Sequence, residues 1–542
     1  MKRENENSNF LWMIRLSRGC RGRLLSLFFT RTVFAFINIM MAAILSEFTE
    51  YAIGNTKYSL ATLVTITLVL FVLEGSMYVI EAISKKSAYS YLERKIRINA
   101  IKKIQVSEML EVEKYHTDEV FSRLTKDTEV VANCLQNLIV NIWGGILMAV
   151  IAFCYMLFLS WKLSLAIIVA IPLLGIVVSI FAPRLQKAAE ADKLNEDRNR
   201  IHMREVLDFT IVSQVFSVMD YMTGRVGESY EAKRRSTFRL GILEGVFSFL
   251  NNLTGSAMFL IIMGLGAFLT VKGEFSVGGM IAVLNLLNYI VWPFSNISSS
   301  VNDFNTALVS AKRIRALEEF SVKAAVIPAM EKQNHPIKVG VRGVSFSYNG
   351  AAELLKELNL EFSSGSIVGI VGKNGCGKST FLKLLAGIYR PIKGEIEYYA
   401  CDKGTACNMA YVPSGSYIFS GTVLENICMT KKPDMVRLDC AVEMANAKEF
   451  IEQLDNQYNE KIGKGYMALS SGQAQRIALA RAYYKAADIY FFDEPTANLD
   501  KISAAVFYDT LKKLGKESLC FIVSHDANVA EYCDCVVEMN AL

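Results

Sequence analysis

Gly372-Lys373-Asn374-Gly375-Cys376-Gly377-Lys378-Ser379-Thr380 fits the phosphate-loop pattern G-x-x-x-x-G-K-[ST]. It is preceded by Ser366-Ile367-Val368-Gly369-Ile370-Val371, a buried-strand pattern, and followed by Phe381-Leu382, the opening of a helix. That strand–loop–helix context gives the match its weight. Glycines let the backbone amides turn inward around phosphate oxygens, and the helix N-terminus adds its positive end. Lys378 is placed to supply a point charge to terminal phosphates, and the Ser379 hydroxyl to ligate Mg²⁺. Cys376 reads as a small filler in the loop.

Downstream, Ile489-Tyr490-Phe491-Phe492 is an apolar strand that delivers Asp493 and Glu494. The first carboxylate is positioned for a metal, and the second for polarising an attacking water. His525 follows another apolar strand, Leu519–Val523, at a place suited to a γ-phosphate contact. From Lys338 onward, short β-rich runs alternate with amphipathic helices, as in an α/β P-loop domain.

The rest of the chain has a different character. It has 542 residues, 52% of them hydrophobic, and a mean hydropathy of +0.28. Apolar residues concentrate in the first part, in six runs each long enough to span a bilayer: Leu24–Leu45, Tyr58–Ile80, Leu138–Ser160, Leu163–Phe181, Val246–Val271 and Val277–Ser299. Two intervening segments, Lys85–Asn137 and Arg184–Arg239, are long and charged, whereas Glu47–Lys57, Trp161–Lys162 and Lys272–Phe275 are short. Basic residues in the N-terminus and the long segments place both in the cytoplasm. The long segments read as helical extensions turning near Tyr115–Val120 and Val212–Phe216.

The expected organisation is a cytoplasmic segment (1–23), an all-α transmembrane domain with six helices (24–316), a linker (317–337) and an α/β P-loop ATPase domain (338–542). Lys2–Arg23 is polar and basic and lacks a signal-peptide layout. The net charge of +5 is modest and its cations lie mainly between apolar runs, which a membrane topology explains better than a nucleic-acid-binding face, so no nucleic-acid partner is expected. Eight of the 11 cysteines lie after residue 338 without a C-x-x-C pair, and His335 and His525 are the histidines of that half. A zinc site is therefore not expected, and the thiols read as reduced and structural. Cys533 and Cys535 would share one face of a strand, too close for an easy disulfide.

Together these motifs resemble an ABC transporter half-molecule of the exporter architecture, over almost the whole chain. Leu469-Ser470-Ser471-Gly472-Gln473 resembles the signature L-S-G-G-Q with one Gly replaced by Ser. Ala497-Asn498-Leu499-Asp500 resembles the D-loop, His525 the switch histidine, and Tyr348 the aromatic that stacks on adenine. Phe121–Asp127 carries the S-R-L-x-x-D pattern of the segment beside the first coupling helix.

The resemblance implies ATP and Mg²⁺ as cofactors, with Glu494 and His525 catalytic. ATP is held by Tyr348, by Gly372 to Thr380, and by Ser470, Gly472, Gln473 and Asp500; Mg²⁺ is held by Ser379 and Asp493. It also implies a second half, itself or a paralogue, because the signature of one chain closes over the other's ATP. Two departures stand out. Val412-Pro413-Ser414 has Ser where a Gln would touch Mg²⁺, so Ser414 would reach the metal only through water. Lys464 stands where an acidic residue often precedes the signature. Thr422-Val423-Leu424-Glu425-Asn426-Ile427 keeps the family's T-x-x-E-N-I stretch.

The expected function is ATP-driven export of a peptide, lipid or amphipathic small molecule across a bacterial plasma membrane. The alternatives are a regulatory half whose partner performs most hydrolysis, and a siderophore-type importer of the same layout. No protease domain precedes the first span, so leader-peptide cleavage is not expected. For the substrate there are only polar residues in the spans: Arg31 and Glu74, as a site or a buried pair, and Asn285 and Asn288 on one face of the sixth helix, which Pro293 is expected to kink.

Overall fold

The computed structural model describes residues 2–55, 58–322, 337–348, 352–400, 408–525 and 527–539. Most of the expected linker, and His335 within it, lie outside these residues. The chain divides into two compact units, Met1–Gln105 with His116–Glu319, and Val106–Tyr115 with Phe320–Leu542.

The first unit is helical, and every apolar run falls on helix. α1 (Arg21–Ile53) ends where Gly54 adopts φ 85° and its N–H returns to the Glu50 and Tyr51 carbonyls, a left-handed cap that glycine adopts without strain. α2 (Leu60–Gln105), α3 (Gly144–Leu159), α4 (Trp161–Asp208), α5 (Met219–Val271) and α6 (Val277–Glu318) follow. α4 stays helical through Pro172 and Pro183, and α6 through position 293. Among the described residues, four helical stretches carry an apolar segment long enough to cross a membrane: Ser8–Ile53, Leu60–Gln105, Thr117–Leu159 and Met219–Val271. Val277–Val291 is a shorter apolar one.

Where the helices converge, buried alanines (Ala42, Ala152, Ala282, Ala307 and Ala311) let backbones approach closely. Leu286, Leu287 and Ile290 of α6 pack there with Ile39, Met156 and Met258. Farther along, Leu92, Ile96, Val131 and Ile314 pack with Met13 and Leu16 of an N-terminal helix, Lys2–Ser17. α4 and α5 run against each other along their charged halves, where Ser236 and Thr237 donate to Asp192 and Ser229 to Asn199.

The first reversal lies a few residues before its expected place. Val106–Tyr115 belongs to the second unit, His116 is extended, and a helix has resumed by Thr117. The second falls as expected, at a one-turn helix, Thr210–Val215. Within the S-R-L-x-x-D stretch, Arg123 donates to the Arg313 carbonyl (3.0 Å) and to Glu119 (2.7 Å), and Asp127 accepts from Ser310 (2.8 Å). These bonds satisfy polar groups buried between helices.

Arg31 pairs with Glu81, not with Glu74. The two are 2.5 Å apart, with Glu81 buried. Glu74 and Glu81 both lie on α2, and the rotation of α2 against α1 brings Glu81 to Arg31. Asn285 is half-buried and Asn288 exposed.

The second unit holds β1 (Ile337–Phe346), β2 (Leu355–Ser363), β3 (Ser366–Val371), β4 (Lys393–Ala400), β5 (Met409–Val412), β6 (Gly421–Thr422), β7 (Lys461–Ile462), β8 (Ile489–Asp493), β9 (Leu519–Val523) and β10 (Cys535–Glu538). Five form a parallel sheet in the order β10-β3-β9-β8-β5; β2-β1-β4 is antiparallel, and β6 pairs β7. β8 and β9 are buried along their whole length, as apolar runs in a parallel sheet covered on both faces should be. Phe491 and Phe521 stack at 5.3 Å on one face of that sheet, and Tyr490 and Phe492 at 5.9 Å on the other.

Candidate nucleotide site

In a parallel sheet all strands end on the same edge, and ligands gather beyond those carboxyl ends. β3 ends in the phosphate loop, β8 in Asp493 and Glu494, β9 just before His525, and β5 before Ser414. Residues more than 150 positions apart in sequence are thereby brought to one place.

Gly375 and Gly377 sit at φ 81° and 101°, the left-handed region that a side chain would strain. At Gly377 a Cβ would also stand 3.2 Å from Leu354. The loop opens α7 (Lys378–Leu385), and the buried Lys378 ammonium donates to the Gly372 (2.8 Å) and Lys373 (3.1 Å) carbonyls. Asn374, Gly375, Gly377, Lys378, Ser379 and Thr380 line an open cleft of about 480 Å³ together with Tyr348, Leu354, Glu494 and His525. The Tyr348 hydroxyl lies 2.8 Å from Thr380 Oγ1. Leu354 was not expected; it precedes β2 in sequence with no motif to mark it.

Ser379 Oγ donates to Asp493 Oδ1 at 2.8 Å, and the Tyr411 hydroxyl to Oδ2 at 3.3 Å; Asp493 and Tyr411 stand behind the cleft lining. Burial pushes the Asp493 carboxyl above its ordinary pKa, and the neighbouring Glu494 charge adds to this, while the two hydroxyls oppose it. Burial and Asp493 together push the Tyr411 phenol up, so it remains a donor. Ser379 and Asp493 present oxygen donors only, the chemistry that suits a hard divalent cation such as Mg²⁺. Glu494 stands at φ 51°, and its carboxylate meets His525 Nε2 at 2.7 Å.

Residues 24–294 match the family model of the ABC transporter transmembrane region, and residues 355–497 that of the ABC transporter. The chain belongs to the ABC transporter family. It is an exporter-type half-transporter, a membrane protein that binds ATP and couples its hydrolysis to transport. The ABC transporter ATP-binding protein YknU of Bacillus subtilis is 25% identical, the match covering 93% of this chain and 88% of that one. A "multidrug resistance ABC transporter ATP-binding and permease protein" of Lactococcus lactis is 27% identical over 76% of this chain and 70% of its own. The "pediocin PA-1 transport/processing ATP-binding protein PedD" of Pediococcus acidilactici is 27% identical over 78% of this chain and 60% of its own.

The ABC signature has a local physical reading. Ser470 and Gln473 form a reciprocal capping box at the start of α8 (Ser471–Lys485): Ser470 Oγ accepts from the Gln473 N–H, and Gln473 Oε1 from the Ser470 N–H. A Cβ at Gly472 would stand 2.8 Å from the Asn498 carbonyl oxygen, so this glycine is required, whereas position 471 accepts the serine. Asp500 caps α9 (Lys501–Leu514) through Ser503. Ser470, Gly472, Gln473 and Asp500 do not line the cleft; nor do Gly372, Lys373 and Cys376, which belong to the phosphate loop itself.

Ser414 is exposed, and it does not line the cleft. Two residues on, Ser416 donates to Gln475 Oε1 (2.7 Å), and the fully buried Gln475 amide donates to the Pro495 carbonyl (3.2 Å), beside Glu494. The exposed Lys464 accepts a bond from Ser420 through its carbonyl.

Proposed function

We propose that this transporter exports an amphipathic molecule (peptide, lipid or drug-like compound) from a bacterial cell, working as two halves that close over two ATP molecules. Tyr348 stacks on adenine, the phosphate loop holds the phosphates, and Ser379 and Asp493 hold Mg²⁺. Bound there, the metal neutralises phosphate charge. Glu494 polarises the attacking water and His525 contacts the γ-phosphate. The observation that carries the two-half reading is the division of the site: phosphate-loop residues, Glu494 and His525 line one cleft, and Ser470, Gly472 and Gln473 lie outside it. A second half bringing those signature residues to the cleft would complete it.

A further support comes from the Thr210–Val215 turn, where Ile211, Val215 and Phe216 are 77%, 75% and 71% exposed. Apolar side chains at the tip of a charged helical extension call for a protein surface to cover them. Relatives named for multidrug resistance and for pediocin transport favour export and an amphipathic cargo.

The second reading, a half that binds ATP while its partner hydrolyses, is favoured by the short, exposed Ser414 and by Lys464. Glu494 poised in the cleft beside His525 favours the first. ATPase activity of the chain alone in lipid nanodiscs separates them, with Glu494→Gln as control. The first reading expects activity reduced at least about 100-fold by that change, the scale of a lost general base. Negligible parental activity, in protein that still binds ATP, would favour the second.

A further inference from the structure

Asp493 has two carboxylate oxygens and, among the described residues, a hydroxyl donor on each: Ser379 on Oδ1 and Tyr411 on Oδ2. The two differ in what metal binding asks of them. A Mg²⁺ held by Ser379 Oγ would take a lone pair of that oxygen, so this hydroxyl would serve the cation and Asp493 at once. Tyr411 has no such second duty. It is half-buried on β5, which pairs in parallel with β8, so the backbone that carries the phenol is registered against the backbone that carries Asp493. Three residues later, Ser414 is exposed and outside the cleft. Its side chain is two bonds shorter than a glutamine, so it orders nothing on the metal side directly.

We propose that Tyr411 is a positioning residue for the ATPase reaction: its phenol holds the second oxygen of Asp493, and this supplies the metal-side order that the short side chain at position 414 does not. The inference rests on the ATP–Mg²⁺ reading of the cleft given above. Tyr411 acts on the metal through Asp493 and does not itself line the cleft. Even a long phenol–carboxylate hydrogen bond biases the direction of Oδ2, and a carboxylate less well held binds a cation needing near-octahedral geometry less well.

The test is nucleotide affinity, measured by calorimetry on the full chain in nanodiscs with Glu494→Gln present to prevent turnover, with and without Mg²⁺. Tyr411→Phe removes one oxygen and keeps the ring. It is expected to lower the Mg²⁺-dependent gain in ATP affinity about fivefold, the scale of one lost hydrogen bond, and to leave Mg²⁺-free binding unchanged. Tyr458→Phe, which removes a shorter tyrosine–carboxylate bond to Asp439 (2.7 Å) away from the cleft, is the control and should change neither. Adding Ser414→Gln to Tyr411→Phe should restore most of the gain. In the hydrolysing protein, Tyr411→Phe should raise the Mg²⁺ concentration needed for half-maximal activity more than it lowers kcat.

An unchanged Mg²⁺ gain in Tyr411→Phe overturns the inference. So does an equal loss with and without Mg²⁺, which is what a purely structural tyrosine gives. Failure of Ser414→Gln to restore the gain overturns the compensation between the two positions. A parent protein with no Mg²⁺-dependent gain fails earlier and overturns the metal reading itself.

Discussion

β8 and α2 are both rich in apolar side chains and dispose of them in opposite ways. Every residue of β8 is buried, because the parallel sheet is covered on both faces. In the most apolar stretch of α2 only 11% of residues are buried, and Phe71 and Val72 are about two-thirds exposed. In a water-soluble domain, hydrophobic character marks the core. In a membrane domain it marks the outer face, because lipid is as apolar as leucine and gives no reason to hide it. Inside, beside its Leu, Ile and Met contacts, the membrane unit also places small and polar groups: alanines at helix contacts, Glu81 with Arg31, and Asp127 with Ser310.

The largest effect expected from this contrast is at Phe521, fully buried between Phe491 and Phe362. Phe521→Ala should cost about 3–5 kcal/mol, read by unfolding of the ATPase unit within the full chain. Phe71→Ala should change stability by less than about 0.5 kcal/mol. Comparable losses at both positions would break the comparison and mean that the outward face of α2 is packed on protein.

Next is the buried ion pair. Arg31→Ala leaves the Glu81 carboxylate without its partner and should cost about 3 kcal/mol in thermal unfolding in nanodiscs. Replacing both residues with leucine should recover most of that loss, since an apolar pair suits the same place. No recovery would show that the pair is kept for something other than helix packing.

Smaller effects sharpen the ATPase side. Gly472→Ala forces a methyl against the Asn498 carbonyl and should cost about 1–3 kcal/mol, whereas Ser471→Gly should stay within about 1 kcal/mol. Equal costs at the two positions would discard the steric account of the signature. The smallest is Ser470→Ala, about 1 kcal/mol from the lost cap, detectable as faster amide exchange in the first turn of α8.

Much of this was legible beforehand. The phosphate loop, the Asp493–Glu494 pair, His525 and the apolar spans are contiguous patterns whose spacing reflects one strand, loop or helix. The first reversal was placed late, because the charged run through Lys114 carries no Gly or Pro to mark where α2 stops. Arg31 was set beside Glu74, whereas it pairs with Glu81, because sequence spacing gives no rotation of one helix against another. Leu354 and Tyr411 escaped notice because each reads as an ordinary apolar or strand residue.

By itself, then, the sequence determined the class of this protein: a strand–loop–helix that cradles phosphate, apolar runs of bilayer length, and a signature that caps a helix, all local consequences of residue type and period. The tertiary structure alone decided which distant groups meet. Strand order β3-β9-β8-β5 brings Ser379, Asp493, Tyr411 and His525 to one edge, and helix rotation sets Arg31 on Glu81. Such pairings depend on register and orientation between elements far apart in the chain. Those are set by packing the whole core at once, and no local pattern encodes them.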